Sequence, residues 1–419
     1  MPASFVGYCK LVMSKLEVYY FHRSYYCVID KLKKKKKIRV AFFLVHSSVW
    51  KYDELFRLML ADERFDPVVV ICPYIVMGEQ IMWRDMAQAE DFVRSKGYPY
   101  TSTYDSGWVD IKKVVKPDVI FYTNPHEGLT RGEYYIKNFP RVLNCYVPYS
   151  SMICNIKVQF DKPLQNMVWR MFIENELVMK IAREQMPTKG ENCYVSGFPP
   201  LDIFLDESYA PAKVWKNENL KKIIWAPHHT IERGSEAWIT FSNFLEIAEP
   251  MRDLALKYSN KVQFAFKPHP LLRGKLEREW GKARTDEYYD FWSSNENSQF
   301  ENGEYIDLFA TSDAMIFDSV SFINEYLYTR KPSFFVMNDS IAEQLNEFGL
   351  AALACHKQGR KMGEIERFVE GVVDGVDDDL AGAKSEYYRK YLLPPHSVSA
   401  SRNIVDYLKR TLSQEKCKQ

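Results

Sequence analysis

Three short stretches decide the fold: Trp225-Ala226-Pro227-His228-His229-Thr230, Lys267-Pro268-His269-Pro270, and Ser312-Asp313-Ala314-Met315-Ile316-Phe317-Asp318-Ser319-Val320-Ser321. Each contains or follows a short apolar run that predicts a buried strand, at residues 222–225, 262–266 and 314–317. Polar residues at the carboxyl ends of parallel strands lie where open α/β sheets bind ligands. The third stretch continues into a predicted helix, 319–328, whose first backbone N–H groups suit a phosphate. The pattern favours chemistry on a nucleotide-linked phosphate.

Length and composition limit the class of protein. A chain of 419 residues is too long for one ordinary core and predicts two domains. The 46% hydrophobic and 26% charged content is typical of a globular protein, and a net charge of +1 gives no general attraction to nucleic acid. The eight cysteines are scattered without a CxxC pair, which argues against a zinc site or disulfides and for a reducing compartment. We interpret the 15% aromatic content as core and interface packing.

Strands alternate with helices along the rest of the chain, which predicts doubly wound parallel sheets. Further strands are predicted at 38–45, 67–72, 118–122 and 142–147. Helices are predicted at 52–61 and 80–96, with one long helix at 163–186 and a closing helix at 399–412. A turn at 196–200 and a polar stretch at 206–219 separate the first series from a second one, 221–376. Two Rossmann-type domains facing across a cleft form a GT-B-like α/β fold.

Several nucleotide-binding and hydrolase signatures are missing from the sequence. No GxGxxG follows the first strand, where the chain reads His46-Ser47-Ser48-Val49-Trp50. A GxxxxGK[ST] phosphate loop and a GxSxG nucleophile elbow are also missing. These absences disfavour a dinucleotide-dependent dehydrogenase.

The N-terminal segment, 1–37, is basic and aromatic. Charged residues at 10, 15, 17 and 23 interrupt every apolar stretch, which argues against a secretory signal and a transmembrane helix. Residues 11–29 are nevertheless rich in aliphatic and aromatic side chains, and lysines follow at 31 and 33–37. The segment is either an amphipathic helix at an anionic membrane surface or a helix packed on its own domain.

The second half resembles the CDP-glycerol glycerophosphotransferase family, which builds teichoic-acid and related capsular polymers. The three strand ends carry the resemblance, with Phe317-Asp318-Ser319-Val320-Ser321 in place of a TDYSS-like sequence. The stretch Ser196-Gly197-Phe198-Pro199-Pro200-Leu201-Asp202 is similar to the SGxPRxD turn of that family, with Pro200 replacing Arg. The similarity extends over about residues 190–410.

The first half departs from the family pattern. Where the polymerases of the family carry a WHGTPLK-like segment with a histidine base, the strand 141–147 continues into Pro148-Tyr149-Ser150-Ser151. His46 and His126, each at the carboxyl end of a strand, are the nearest substitutes.

The resemblance implies a transferase that moves glycerol phosphate, or a similar polyol phosphate, from a CDP-activated donor to a hydroxyl of a cell-surface polymer or lipid-linked acceptor. We predict no cofactor, no metal-site residues and, from the net charge, no nucleic-acid partner, while a metal requirement stays open. The predicted location is cytoplasmic and peripheral on the inner face of the bacterial membrane. An anionic membrane surface is therefore a further expected partner. The expected domains are a 1–37 segment, an acceptor domain at 38–206, a nucleotide-donor domain at 207–394 and a closing helix at 395–419.

The predicted site residues divide into three groups. The catalytic candidates are His269, His228 and His46. The donor-binding candidates are Pro227, His229, Lys267, Asp318, Ser319, Ser321 and Glu325. The acceptor-side candidates are His126, Tyr149 and Ser150.

Some of these residues also have an ordinary structural interpretation. Lys267 neutralises phosphate charge or faces solvent, and Glu325 binds a ribose or is an exposed helix residue. Asp318 belongs to the phosphate loop or caps a helix. We expect one of His228 and His229 to face the cleft while the other packs or caps a loop. Structural or surface roles are predicted for the remaining histidines, His22, His356 and His396.

Two other functions stay open at this point. One keeps the fold and changes the reaction, as a GT-B glycosyltransferase or a nucleotide-sugar epimerase. The other is a non-catalytic nucleotide-fold subunit of polymer assembly, which the missing His-Gly segment favours and the retained histidines of the second half disfavour.

Overall fold

The computed structural model describes residues 5–156, 159–232 and 241–413, with side chains in the first helix from residue 14 onward. The described residues form two compact units. The first comprises those within Met1–Ser150, Lys157–Leu205 and Leu393–Gln419, and the second those within Ser151–Ile156 and Asp206–Leu392. The closing helix, expected as a separate element, therefore belongs to the first unit, and the short segment after Ser150 belongs to the second.

Thirteen strands are present in the part of the chain that the structure describes. In chain order they are β1 Ile38–Leu44, β2 Phe65–Ile71, β3 Tyr100–Ser102, β4 Val119–Tyr122, β5 Leu143–Tyr146, β6 Arg170–Ile173, β7 Cys193–Val195, β8 Lys221–Ala226, β9 Val262–Phe266, β10 Ser298–Phe300, β11 Ala314–Phe317, β12 Ser333–Val336 and β13 Lys357–Gly359.

Helices surround these strands in both units. In chain order the described α-helices are α1 Phe5–Leu32, α2 Asp53–Leu60, α3 Glu79–Ser95, α4 Ile111–Val114, α5 Pro163–Met167, α6 Glu176–Gln185, α7 Phe244–Lys257, α8 Leu272–Glu279, α9 Lys282–Ser294, α10 Ile306–Thr311, α11 Val320–Glu325, α12 Ile341–Gln344, α13 Glu347–Leu353, α14 Met362–Asp374, α15 Ala381–Tyr387 and α16 Ala400–Thr411. None of the described helices is both long and apolar enough to span a bilayer.

Each unit is built on one fully parallel sheet. The first sheet has the order β3-β2-β1-β4-β5-β6-β7 and the second β10-β9-β8-β11-β12-β13. Both orders reverse beside their first strand, between β1 and β4 and between β8 and β11. A doubly wound sheet binds ligands outside the carboxyl ends of its strands at such a switch point. The predicted α/β class with two Rossmann-type domains is confirmed.

The cores explain why apolar runs became central strands. Phe42 of β1 stacks on Phe121 of β4, with ring centroids 5.0 Å apart. In the second unit Trp225 of β8 is 1% exposed and contacts Phe244, Phe266 and Trp292 at centroid distances of 5.6, 5.0 and 5.3 Å. Trp225, the first residue of the stretches quoted above, is therefore a core residue that fixes the end of β8.

The long helix predicted at 163–186 is wrong. That segment forms α5, then β6, then α6. Residues Met171, Phe172 and Ile173 are all fully buried, because β6 pairs with β5 on one side and β7 on the other. A strand buried on both faces is continuously apolar, and periodicity alone does not separate it from a buried helix. The side chain of Asn175 accepts the N–H of Val178 at 3.0 Å and starts α6.

The N-terminal helix α1 packs on the first unit. Its inner face buries Phe21, Tyr25, Val28 and Leu32, and the Tyr25 hydroxyl donates to the carbonyl of Met167 at 2.7 Å. Its outer face leaves large apolar side chains exposed, namely Leu16, Tyr19, Tyr20 and Tyr26. The packing interpretation of this segment is confirmed, and the outer face stays available for another surface.

A buried carboxylate accepts the first backbone N–H groups of the closing helix α16. Asp202 accepts the N–H groups of Ala400 and Ser401 at 2.7 and 2.8 Å, and burial raises the pKa of Asp202 to about 6. Gly197 has a φ of 94°, and a Cβ there would lie 2.7 Å from Cβ of Pro394 and 2.9 Å from Cβ of Ala400. The turn that resembles the family motif therefore anchors α16.

Candidate active site

Three histidines come together at the carboxyl ends of β8 and β9 in the second unit, on one side of the switch point. His228 follows β8 and His269 follows β9, and the N–H of His269 donates to the carbonyl of Pro227 at 3.0 Å. The ring centroids of His228 and His229 are 4.3 Å apart, those of His229 and His269 are 4.1 Å apart, and those of His228 and His269 are 5.1 Å apart. We call these three side chains the imidazole cluster. His228 is buried and its Nδ1 contacts Thr230 of the same loop, whereas His229 is half-buried, which agrees with the expectation that one of the two packs or caps a loop.

A backbone turn fixes how the His269 ring carries its proton. Nδ1 of His269 accepts the N–H of Leu271 at 3.2 Å. A neutral imidazole whose Nδ1 is an acceptor carries its hydrogen on Nε2. His269 therefore offers an Nε2–H donor, which suits an anion. Nδ1 of His228 lies 2.9 Å from the Thr230 hydroxyl oxygen and 3.4 Å from the Thr230 backbone nitrogen.

The same geometry bears on metal binding. The cluster offers three nitrogen atoms within 4.8 Å of one another, close enough for a cation to draw together. A metal-bound histidine, however, donates its second N–H to an acceptor so that the ligating nitrogen keeps its lone pair. In His269 the Nδ1 atom instead accepts a backbone N–H. At His269 the arrangement therefore favours an anion such as phosphate over a metal ion.

Burial keeps the imidazole cluster uncharged. It lowers the pKa of His269 to about 3, with further lowering by His229, Lys275 and Lys267. Burial and Lys275 lower the pKa of His229 to about 4, and burial holds that of His228 well below its ordinary value. Among the described residues, Nδ1 of His229 has no hydrogen-bond partner although it is buried. Three neutral rings beside lysines form a site that an anion would complete.

Lys275 of α8 is the cation whose charge reaches the whole cluster. It lowers the pKa of all three histidines, and its Nζ lies 2.5 Å from Oε1 of Glu232. Lys267 lowers only the pKa of His269 among these three, and its Nζ donates to the carbonyl of Gly303 at 2.7 Å. Lys267 is 7% exposed, so the interpretation that it faces solvent is wrong.

Asp318 joins the loops around the cluster. Its Oδ1 accepts the N–H of His228 at 2.6 Å, and its Oδ2 accepts the Ser242 hydroxyl at 2.8 Å and the N–H of Asn243 at 2.9 Å. Burial raises its pKa to about 6, while these donors oppose the rise. The N-cap position of α11 belongs to Ser319, so the helix-cap interpretation of Asp318 is wrong. Asp318 positions His228.

Helix α11 is shorter than predicted. It spans Val320–Glu325 and continues as a 3-10 turn, Tyr326–Thr329, instead of an α-helix to residue 328. So short a helix gives little dipole, and phosphate binding there would depend on hydroxyl and backbone N–H donors. Ser319 is buried and Ser321 half-buried.

Glu325 is not an exposed helix residue. It is 3% exposed, and its side chain accepts a hydrogen bond from Tyr305. The surface interpretation of Glu325 is therefore wrong, and the ribose-binding interpretation stays a prediction.

The candidates of the first unit lie along the carboxyl edge of its own sheet. His46 follows β1, His126 follows β4, and Tyr149 and Ser150 follow β5, three neighbouring strands at the switch point. Burial and the charge of Lys162 lower the pKa of His126. Tyr149 and Ser150 are both half-buried.

His46 has a carboxylate partner that the sequence pattern did not indicate. Nδ1 of His46 accepts the N–H of Ser48 at 3.1 Å and lies 2.8 Å from the Ser48 hydroxyl oxygen. Its Nε2 lies 3.9 Å from Oδ2 of Asp85, which is only 5% exposed. A histidine oriented by a buried carboxylate is a common arrangement for a general base.

The other three histidines have the structural or surface roles predicted for them. His356 is buried between the Ser333 hydroxyl and the carbonyl of Ile323, each 2.7 Å from a ring nitrogen. His22 Nε2 contacts the carbonyl of Asn166 at 2.8 Å, and His396 is exposed.

Comparison with known proteins identifies the segment that holds the imidazole cluster. Residues 157–343 match the family model described as CDP-Glycerol:Poly(glycerophosphate) glycerophosphotransferase. This segment resembles that glycerophosphotransferase family, which supports a transferase of the CDP-glycerol glycerophosphotransferase type. No sequence among curated proteins matches the chain significantly.

Solved structures share the fold of this chain. A variant of the wall teichoic acid polymerase TagF aligns with a TM-score of 0.58 at 12% identity, over 90% of this chain and 89% of that one. MnaA of S. aureus, solved with UDP, gives 0.57 at 15% identity over 91% and 99%. The UDP-GlcNAc 2-epimerase of Neisseria meningitidis, bound to UDP-GlcNAc, gives 0.54 at 15% identity over 89% and 100%.

The family match covers the donor-binding part of the predicted site and not the acceptor-side part. It includes the imidazole cluster and the donor-binding candidates, and it begins and ends earlier than the expected 190–410. It leaves out His46, His126, Tyr149 and Ser150. Lys275, Asp85 and the hydroxyl partner Ser48 are the residues that sequence reasoning missed. A lysine six residues after His269 was a visible signal for Lys275, whereas Asp85 reaches His46 only through the fold.

Proposed function

We propose that this chain is a glycerophosphotransferase that moves glycerol phosphate from CDP-glycerol to a hydroxyl of a cell-surface polymer or lipid-linked acceptor. One observation carries the proposal: inside the family-matched segment, the Nε2–H donor of His269 and two further neutral imidazoles meet beside Lys275 at the carboxyl ends of β8 and β9. Phosphoryl transfer depends on positioning and on neutralising charge, and this cluster supplies both. A TagF structure soaked with CDPG is among the structural neighbours, which supports the same donor class.

In the proposed reaction the acceptor oxygen attacks the β-phosphorus of the donor. A new P–O bond forms to the acceptor, and the bond from the β-phosphorus to the bridging oxygen breaks, so that CMP leaves with that electron pair. The acceptor hydroxyl gives its proton to a base. The Nε2–H group of His269 donates to a diphosphate oxygen, and Lys275 balances the charge that develops on the leaving phosphate.

The remaining donor-side residues have supporting roles in this proposal. Pro227 fixes His269 through its carbonyl, and Asp318 holds the loop that carries His228. Ser319 and Ser321 are the phosphate-binding hydroxyls, and Glu325, beside Tyr305, is the ribose ligand. Lys267 adds positive charge near His269.

The acceptor side is assigned to the first unit. His46 is the proposed base: the acceptor hydroxyl would displace both the N–H and the hydroxyl of Ser48 from Nδ1, which then accepts the proton, while Asp85 faces Nε2. His126, Tyr149 and Ser150 line the same sheet edge and are proposed to contact the acceptor.

A donor screen tests the function. Titration calorimetry with CDP-glycerol, CDP-ribitol and UDP-GlcNAc is expected to show binding of a CDP-polyol, with CMP released when an acceptor is added. Binding of UDP-GlcNAc alone would contradict the proposal and favour the glycosyltransferase or epimerase alternative. Binding of CDP-glycerol without any CMP release with polymer acceptors would favour the non-catalytic alternative.

We also propose that the enzyme works peripherally on an anionic membrane surface at the cytoplasmic side. The exposed outer face of α1, with Leu16, Tyr19, Tyr20 and Tyr26, lies next to the lysines of residues 33–37. Aromatic side chains suit the headgroup region, and each lysine near anionic lipid contributes about 1 kcal/mol. Lys35 also forms an ion pair with Asp118 at 2.5 Å, so part of its charge is neutralised within the protein.

Vesicle sedimentation tests the membrane proposal. Full-length protein is expected to bind phosphatidylglycerol vesicles at low salt, and the variant Tyr19→Ser/Tyr20→Ser/Tyr26→Ser is expected to lose that binding while staying folded. Deleting α1 is a poor test, because its inner face is part of the core. Failure of the full-length protein to bind would exclude the proposal.

A further inference from the structure

A ligand-sized cavity lies in the first unit, outside the family-matched segment and apart from the imidazole cluster. Its volume is about 430 Å³, and its lining includes Ile75, Met82, Trp83, Tyr104, Trp108 and Arg131. Three of these six side chains are large aromatic rings. We call this the aromatic cavity.

A tight hairpin presents two of the rings to solvent. Tyr104 and Trp108 form an antiparallel bridge, and the N–H of Val109 donates to the carbonyl of Thr103 at 2.9 Å. Ser106 at its tip has a φ of 55°. The side chain of Tyr104 is 40% exposed. Burial would stabilise so large an aromatic ring, so its exposure indicates that the hairpin does not serve core packing.

The rings are held in fixed relative positions. Trp83 and Trp108 lie nearly parallel, at 15° and 5.8 Å between centroids, and Tyr104 stands edge-on to them at 4.8 and 5.2 Å. Beneath them the hydroxyl of Tyr134 contacts the carbonyl oxygens of Thr103 and Val109 at 3.2 and 3.1 Å. A rigid aromatic wall costs a ligand little ordering of side chains on binding.

Polar groups lie at the edge of this wall. The guanidinium of Arg131 lies 4.4 Å from the Trp108 centroid. Nε of Arg131 and the hydroxyl oxygen of Thr130 are buried without a hydrogen-bond partner among the described residues. Glu79 accepts the indole N–H of Trp83 at 3.2 Å and is otherwise exposed. The cavity therefore combines aromatic faces with unsatisfied donors and a carboxylate.

The cavity also adjoins the proposed base. Ile75, Tyr104 and Arg131 follow β2, β3 and β4, so they lie at the carboxyl edge of the first sheet. Helix α3 supplies Trp83 to the cavity and Asp85 to His46. His46 also contacts Tyr74, the neighbour of the lining residue Ile75, with ring centroids 6.3 Å apart, so a molecule in the cavity is one residue away from a contact of the proposed base.

We propose that the aromatic cavity binds a saccharide ring of the acceptor, an inference that rests on the proposed function. A pyranose has an apolar C–H face that packs on an aromatic ring, whose face carries partial negative charge. Its hydroxyls would pair with Arg131 and Glu79, both of which line the cavity. A lipid chain would fill the aromatic wall and leave these polar groups unpaired, which costs free energy.

Tryptophan fluorescence of the full-length protein tests the proposal. The probes are methyl glycosides of glucose, galactose and N-acetylglucosamine, and N,N′-diacetylchitobiose, at millimolar concentrations, with octyl-chain detergent as the lipid probe. At least one saccharide is expected to quench the emission. Trp108→Ala is expected to weaken its binding by about tenfold or more, or about 1.4 kcal/mol. Tyr26→Ala, an exposed aromatic change on α1, is expected to leave it unchanged.

The outcomes separate this inference from the proposed function. If no saccharide binds, if binding persists in both Trp83→Ala and Trp108→Ala, or if only detergent binds, the saccharide site is overturned. CDP-glycerol affinity, measured in the same variants by calorimetry, should not change. Saccharide binding without CDP-glycerol binding would support the cavity and overturn the donor assignment.

Discussion

The backbone N–H of His228 donates to Oδ1 of Asp318 over 2.6 Å, which ties the carboxyl end of β8 to that of β11. The two strands are neighbours at the switch point of the second sheet. Asp318 also holds Ser242 and the N–H of Asn243, so one buried carboxylate fixes the loop that carries His228. The N–H of His269 in turn donates to the carbonyl of Pro227 in that loop, so the two loops of the cluster are joined before any donor binds.

Replacing His269 by Ala should lower kcat by about 10²-fold or more, the scale of losing a positioned donor at a developing charge. Steady-state release of CMP measures it. His396→Asn is the matched control, because His396 is exposed with a φ of 64°, which Asn tolerates. A His269→Ala enzyme with normal turnover would remove this residue from the mechanism.

Binding of CDP-glycerol should take up protons at about pH 6. The free cluster is neutral, because the pKa values of His229 and His269 are lowered to about 4 and about 3. A bound diphosphate favours the charged form and raises these pKa values, so affinity should increase as the pH falls toward 5. Calorimetry in two buffers of different ionisation enthalpy measures the uptake. His269→Ala should reduce it, and binding without proton uptake would contradict an anion site at the cluster.

Replacing Lys275 by Met should weaken CDP-glycerol binding by about tenfold and reduce its dependence on salt, because a cation next to the diphosphate is lost. Lys261→Met, an exposed lysine of the same unit, is the control and should change neither quantity. Equal effects of both substitutions would show that only the overall charge matters.

Replacing His46 by Ala should lower kcat by about 10²-fold while the Kd of CDP-glycerol stays unchanged, since His46 is assigned to the acceptor side. Asp85→Asn should reduce kcat less, because it removes only the carboxylate that faces Nε2. His126→Ala provides the comparison. If His126→Ala lowers kcat and His46→Ala does not, the base is His126.

Replacing Gly197 by Ala should lower the free energy of unfolding by about 1–3 kcal/mol, because the new Cβ would collide with Pro394 and Ala400 at a φ of 94°. Urea unfolding measures it. Gly128→Ala is the control, since Gly128 has a φ of 82° and open space around its Cβ position. Similar losses in both variants would mean that backbone strain, and not the docking of α16, limits this turn.

The sequence by itself determined the fold class and the location of the donor-side site. The runs before His228, His269 and Asp318 are short, apolar and followed by polar residues, and such patterns are local, so β9 and β11 form with the predicted bounds. The failure at residues 163–186 has an equally local cause, since a fully buried strand and a buried helix share one apolar pattern.

Only the tertiary structure decided which side chains meet and in what state. Lys267 and Glu325 proved to be buried and hydrogen-bonded, and Lys275 is the cation whose charge lowers the pKa of all three cluster histidines. Asp85 meets His46 across 39 positions of sequence, and Trp83 meets Trp108 across 25. Such pairs depend on strand order and helix packing, and burial sets the protonation of a histidine, so neither is encoded in the spacing of residues along the chain.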